Sequence, residues 1–231
     1  MIEQFEISRE AFARTIRLVT TARMREAVLK GLVDTDQEAD ELAEIEGATS
    51  QRLVAQGRGV AGIPANSLIH GKPNQGFINA AFAYAPPRNA NRFNGTDRGA
   101  WYAALEVETA IAEVGYHLTG HLAALGDAGD FNTTVSYAEL FADFIGEFVD
   151  LRGVEQADCL HPDPPIGYPA GNVLADEAMA RDLNGIVYPS VRRAGGTNLV
   201  ALWPHAVQAV TQGSVWELTW SGSPGYAVRK A

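Results

Sequence analysis

The sequence predicts a single α+β domain in which short strands mix with a few helices. Apolar residues recur with a period of two in some stretches and with a helical period in others. No internal repeat or low-complexity tract divides the chain, and 231 residues suffice for one well-buried core. An apolar share of 46% with 20% charged residues is ordinary for a globular domain.

In chain order, Ile2 to about Ala13 reads as a short N-terminal helix or arm. Thr15 to Thr20, TIRLVT, is rich in β-branched residues and reads as a strand, with Arg17 inside it. Asp34 to Gln56 is acidic and helical in pattern, with Asp34 or Asp36 to cap it and a run of carboxylates that reads as a solvated face. Gly57 to Pro64 and Gly71 to Gly76 are loops. Lys72 follows a glycine but lacks the spacing of a phosphate-binding loop. Phe77 to Tyr84 is apolar and fits a strand or a short helix, ended by Pro86 and Pro87.

Asn94, Gly95, Asp97 and Gly99 make a turn region. Ala100 to Leu105 then alternates as a strand, with Tyr102 on the face opposite Trp101 and Leu105. From Val107 the period changes. Val107, Ala110, Ile111, Val114 and Leu118 trace one helical face, with Glu113 at its border and His117 one turn further on. A carboxylate in that position needs a partner. Spacing alone leaves two readings of Glu113, a fold-stabilising pair with His117 or an arginine, or a functional acid.

Gly120 to Gly129 reads as a linker. Phe131 to Tyr137 alternates as a strand, and residues 139 to 151 supply Leu140, Phe141, Phe144, Ile145, Phe148 and Val149 to the core. Pro164 and Pro165 suggest an irregular surface loop, followed by a helix from Asn172 to Asn184 that Gly185 ends. Ile186 to Tyr188 is a short buried strand stopped by Pro189, which leaves Ser190 at its end. Gly195-Gly196 turns the chain into a return strand, Asn198 to Trp203. Val215 to Trp220 is the last predicted strand.

Composition excludes several roles. A net charge of −10 argues against gripping nucleic acid through the general surface, and against an anionic membrane as partner. Cys159 is the one cysteine, so no intrachain disulfide forms. The charged N-terminus lacks the apolar core of a signal peptide, and no apolar run reaches transmembrane length. These features lead to the expectation of a cytoplasmic protein. Cys159, His161 and Asp163 lie close together, but His70, His117, His121 and His205 offer no spacing that completes a tetrahedral set, so no metal is expected. Ser190 is not in a G-x-S-x-G elbow, which argues against a hydrolase nucleophile.

Two blocks carry a family resemblance. The first comprises RFNG, GAWYAA and LEVETAIAEVGYH, which hold Arg92, Tyr102 and Glu113. The second is GIVYPSVRRAGGTNLVALWP, residues 185 to 204. Together they resemble the RES domain family over about Thr15 to Val207, within a single domain spanning 1–231. The resemblance implies an ADP-ribosyltransferase-like fold, with small antiparallel sheets flanked by helices around a dinucleotide cleft. It implies NAD as substrate, no metal, and cleavage of the nicotinamide–ribose bond by phosphorolysis or hydrolysis. Its alternatives are transfer of ADP-ribose to a protein, or a catalytically silent RES-like protein that binds a partner. In the implied site Arg92 clamps the pyrophosphate, Tyr102 is a platform for nicotinamide, and Glu113 is the anion near the ribose. Ser190 holds the nicotinamide amide or a phosphate oxygen, Arg17 runs along the ligand cleft, and His117 and Asn198 stand further out. Glu108 competes with Glu113 but sits in the first helical turn, where it suits the dipole. Family membership further implies a helical DNA-binding antitoxin as partner, and allows a homodimer.

Overall fold

The computed structural model describes residues 2–22, 24, 63, 65–83, 90–125 and 131–231. In chain order the elements are β1 (Glu6–Thr20), α1 (Gln75–Ala83), β2 (Trp101–Ala104), α2 (Val107–Ala124), β3 (Asn132–Asp150), α3 (Pro164–Ala180), β4 (Gly185–Pro189), β5 (Thr197–Ala201), β6 (Gln208–Ser221) and β7 (Tyr226–Lys230). The predicted acidic segment 34–56, the predicted loop 57–64 (Ile63 excepted), Tyr84, Pro86 and Pro87, and residues 126–129 of the predicted linker lie outside the described residues.

β3 organises the sheet because its 19 residues serve three neighbours. One edge pairs antiparallel with β1, from Glu6 opposite Asp150 to Thr20 opposite Tyr137. The other edge pairs antiparallel with β6 as far as Asp143 opposite Gln208, and then parallel with β4 from Phe148 opposite Gly185. β4 pairs with β5, β5 with β2, and β2 returns to β1 through Ile16 opposite Ala104. Five strands therefore close a ring, and β6 and β7 extend from it. Among the described residues, the implied small antiparallel sheets are instead one seven-stranded sheet with a parallel step, because β3 is long enough to belong to both parts.

Each helix covers one apolar cluster. Ile78 and Phe82 of α1 pack with Trp101, Ala103, Phe144 and Leu199. Leu174, Ala175 and Ala178 of α3 pack with Phe93, Ile186, Tyr188 and Val200. Ala110, Ile111 and Leu122 of α2 pack with Leu18, Leu218 and Trp220, and the rest of the predicted stripe, Val107, Val114 and Leu118, lies against the same cluster. Trp101 and Tyr102 serve different clusters, as strand alternation requires.

Several expectations change. The N-terminal arm is a short 3-10 turn, Ile2–Gln4, followed by strand from Glu6, because β3 offers it a full-length edge. Arg14 breaks the ladder at positive φ, and its amide donates to Asp143 Oδ1 at 2.9 Å. Phe77 to Ala83 belongs to a helix. The segment at Pro164 is the first turn of α3 rather than a loop, since proline lacks only an amide that the first turn leaves unpaired anyway. That helix ends at Ala180, and Gly185 opens β4, where a Cβ would overlap the carbonyl of Val200. No described helix is long and apolar enough to cross a membrane.

Candidate functional site

Arg92, Tyr102 and Glu113 line one cavity of about 660 Å³. β1 contributes Arg17 to its wall, α2 His117, α3 Tyr168, β4 Tyr188 and β5 Asn198. Glu108 is exposed and faces elsewhere.

The segment 91–98 is fixed by side-chain amides. Asn94 Nδ2 donates to the carbonyls of Gly95 and Arg98, both at 2.9 Å. Asn172 Nδ2, on α3, donates to the carbonyl of Asn91 at 2.7 Å. The phenol of Tyr102 completes the hold. It accepts from the Phe93 amide at 3.0 Å and donates to Asn94 Oδ1 at 2.8 Å. Burial raises its pKa far above the ordinary phenol value, so it remains a neutral donor.

Arg92 is buried, and its Nη1 donates to the carbonyls of Cys159 at 2.6 Å and His161 at 2.9 Å. Its guanidinium lies 5.6 Å from the centre of the Tyr168 ring. Glycines of α3 make room for it. A Cβ on Gly167 would come within 2.7 Å of Nη1, and one on Gly171 would overlap the Arg92 carbonyl. Among the described residues, Nε and Nη2 of Arg92 carry no hydrogen bond, so the fork keeps donors for a ligand. Cys159 and His161 thus serve through their backbone carbonyls. The Cys159 thiol is buried, with its pKa pushed up to about 11 mainly by desolvation.

Glu113 has two partners, neither of them His117 or an arginine. Ser190 Oγ donates to its Oε1 at 2.8 Å and Asn198 Nδ2 to the same oxygen at 2.7 Å. Its Oε2 has no hydrogen-bond partner among the described residues. Ser190 is fully engaged, since its Oγ also accepts the amides of Arg192 and Arg193 at 3.1 Å each. It therefore braces Glu113 and does not itself line the cavity. The β4–β5 turn is seated on α2 at a second point. Glu106 Oε2 accepts from Thr109 Oγ1 at 2.7 Å and from the Thr197 amide at 3.3 Å. Gly196 lies so close to Thr109 that a Cβ would overlap its hydroxyl.

Arg17 lies 5.1 Å from the centre of the Trp101 ring, and its Nη1 donates to the carbonyl of Tyr102 at 3.2 Å. His117 stands at the rim, exposed to solvent. Partial desolvation of its ring still lowers its pKa, Glu113 opposes the shift, and Arg192 and Arg92 add to it.

Sequence reasoning missed Arg192 and Tyr168. Arg192 lies 3.4 Å from the centre of the exposed Tyr116 ring, and its Nη2 donates to the carbonyl of Pro162 at 2.8 Å. Tyr168 was hidden because its segment reads as a loop. The signal that could have found it is Asp163 before two prolines, an N-cap followed by first-turn residues. The described lining holds Arg17, Arg92 and Arg192 against one carboxylate, Glu113. In a chain of net charge −10 that local excess of positive charge favours an anionic ligand.

Comparison with known proteins gives three findings. A family model, the RES domain, matches residues 64–221. A chain in the crystal structure of the M. tuberculosis MbcT–MbcA toxin–antitoxin complex aligns with 58% of this chain and 74% of its own length, at 17% identity and a TM-score of 0.41. No curated protein matches the chain.

Proposed function

The chain belongs to the RES domain family, and on that premise we propose that it consumes NAD, breaking the bond between nicotinamide and ribose by phosphorolysis or hydrolysis. One observation carries the reading: a carboxylate on a helix, an arginine fork from a loop and a phenol on a strand share a cavity of dinucleotide size.

In this reading the C1′–N1 bond of NAD breaks with its electron pair passing to the pyridinium nitrogen. Nicotinamide leaves neutral and needs no acid. Positive charge grows on the ribose, as in other glycosyl transfers. Glu113, with Oε2 available, is the anion that offsets it. An oxygen of phosphate or water then bonds to C1′, and where the acceptor is water its proton passes to solvent. Arg92 holds the pyrophosphate through Nε and Nη2, and Arg17 and Arg192 add positive charge along the cavity. Tyr102 keeps the Arg92 segment in register and offers its ring to the nicotinamide. Ser190 and Asn198 act through Glu113 by fixing its Oε1. The reading requires no metal.

The biological setting we propose is a cytoplasmic toxin with a helical DNA-binding antitoxin as its partner. The test is a mass balance of NAD products with and without phosphate. Nicotinamide with ADP-ribose 1-phosphate identifies phosphorolysis, and nicotinamide with free ADP-ribose identifies hydrolysis. Label carried onto protein from radioactive NAD and lysate identifies ADP-ribosyl transfer. Unchanged NAD under all conditions refutes the enzyme and leaves a partner-binding protein.

A further inference from the structure

The face of α2 opposite Glu113 is held by the C-terminal hairpin. Successive helical residues turn by about 100°, so positions two apart face opposite ways and positions four apart nearly coincide. Glu113 and His117 form one side and line the cavity. Gly115 and Thr119 form the other. A Cβ built on Gly115 would lie 2.6 Å from Tyr226 Cε1 and closer still to its Cζ and hydroxyl. Here the helix backbone rests directly on a tyrosine ring.

One turn on, Trp220 Nε1 donates to Thr119 Oγ1 at 3.0 Å, and Thr119 Oγ1 donates to the carbonyl of Pro224 at 3.4 Å. Trp220 and Tyr226 are opposite each other in the β6–β7 ladder, with ring centres 5.0 Å apart. Ring, indole and turn thus meet two successive turns of α2 from a single hairpin. The RES match ends at residue 221, so Pro224, Tyr226 and all of β7 lie beyond it.

We propose that Tyr226 is a positioning residue. It presses on Gly115 and so sets how far Glu113 reaches toward Ser190 and Asn198. The inference rests on the reading of Glu113 as the functional acid. It adds that the hairpin beyond the family match belongs to the working site. Deleting the ring lets α2 settle toward β7 and draws Glu113 back from its two donors. Those bonds, at 2.8 and 2.7 Å, are the first to lengthen.

The test uses the full chain with Tyr226→Ala, Tyr226→Phe and Gly115→Ala. Tyr226→Phe keeps the ring but removes the hydroxyl, one of the two atoms nearest Gly115, and should fall between the parent and Tyr226→Ala. Gly115→Ala forces a Cβ into the ring and is the second perturbation should Tyr226→Ala fold poorly. Three readouts apply: amide exchange across α2, the NMR signal of the Asn198 side-chain amide, and steady-state turnover of NAD. Tyr226→Ala and Gly115→Ala should each shift the Asn198 signal and speed exchange near Gly115. Each should lower kcat about tenfold with KM little changed, since small misplacements of a reacting group act on the chemical step. In a Glu113→Gln background Tyr226→Ala should add nothing to the loss, because both act through one carboxylate. An unmoved Asn198 signal with unchanged exchange, or an equal further loss in the Glu113→Gln background, overturns the proposal. A parent protein that leaves NAD intact defeats the proposed function instead, and the two NMR readouts still decide the clamp.

Discussion

Gly167→Ala tests the seating of Arg92 with a single methyl group. The added Cβ would sit 2.5 Å from the His161 carbonyl oxygen and 2.7 Å from Arg92 Nη1, whereas ordinary contact begins near 3.4 Å. The gaps to be made up are 3.4 − 2.5, about 0.9 Å, and 3.4 − 2.7, about 0.7 Å. Neither atom yields freely, because each is one end of the 2.9 Å bond between Nη1 and His161. Overpacking of this kind costs about 1–3 kcal/mol, offset by about 1 kcal/mol from replacing a helical glycine with alanine. At about 2–4 °C per kcal/mol for a chain of this size, that net cost of up to about 2 kcal/mol lowers the melting temperature by about 8 °C at most. Function should suffer far more. A shift approaching 1 Å in a clamping group costs on the order of 10²-fold. Thermal unfolding read beside NAD turnover separates the two effects. Gly120→Ala is the control, since a Cβ there meets nothing within 4 Å. It should stabilise α2 by about 0.5–1 kcal/mol and leave turnover alone. If Gly167→Ala behaved like Gly120→Ala in both assays, Arg92 would not be held as described.

Glu113→Gln keeps the shape of the side chain, and its carbonyl oxygen can still accept from Ser190 and Asn198, so the fold should survive. The lost negative charge should lower kcat by about 10²–10³-fold, the scale of one preorganised electrostatic group; turnover within twofold of the parent would remove Glu113 from the chemistry. Tyr102→Phe strands the Phe93 amide and should cost about 1–3 kcal/mol in urea unfolding. His117 should titrate below 6.5 by NMR in the folded protein. Its folded pKa is depressed, so the unfolded chain binds the proton more readily. Its contribution to stability is therefore intact above pH 6.5 and falls as pH drops through 6.5 toward the folded pKa. A titration at or above 6.5 would contradict the desolvation that lowers it.

Much of the site was legible because it lies on elements with strong local periods. The alternation of Trp101 to Ala104 and the stripe from Val107 to Leu118 placed Tyr102 and Glu113 on the right elements. Positions set by distant pairing were not legible. Nothing local in Glu6 to Phe12 says that β3 will offer a full-length edge, so a strand looked like a helix or arm. Pro164 and Pro165 suggest a loop by composition although they suit a first helical turn, and that hides Tyr168. The partners of Glu113 could not be chosen by spacing either. His117 is one turn away in sequence, but the bonds come from Ser190 and Asn198, 77 and 85 residues further on. β7 was missed because Tyr226 to Lys230 is mostly exposed and shows little apolar alternation.

Those long separations also bear on biosynthesis. A ribosome releasing this polypeptide from its N-terminus has made α2 well before either donor to Glu113 exists. β1 waits still longer for its neighbour, since Ser8 faces Phe148 in the finished ladder. Linking regions so far apart is entropically slow, so the pocket should mature late, after synthesis has passed Asn198. Truncated products ending before that point would carry the carboxylate without the amide that orients it.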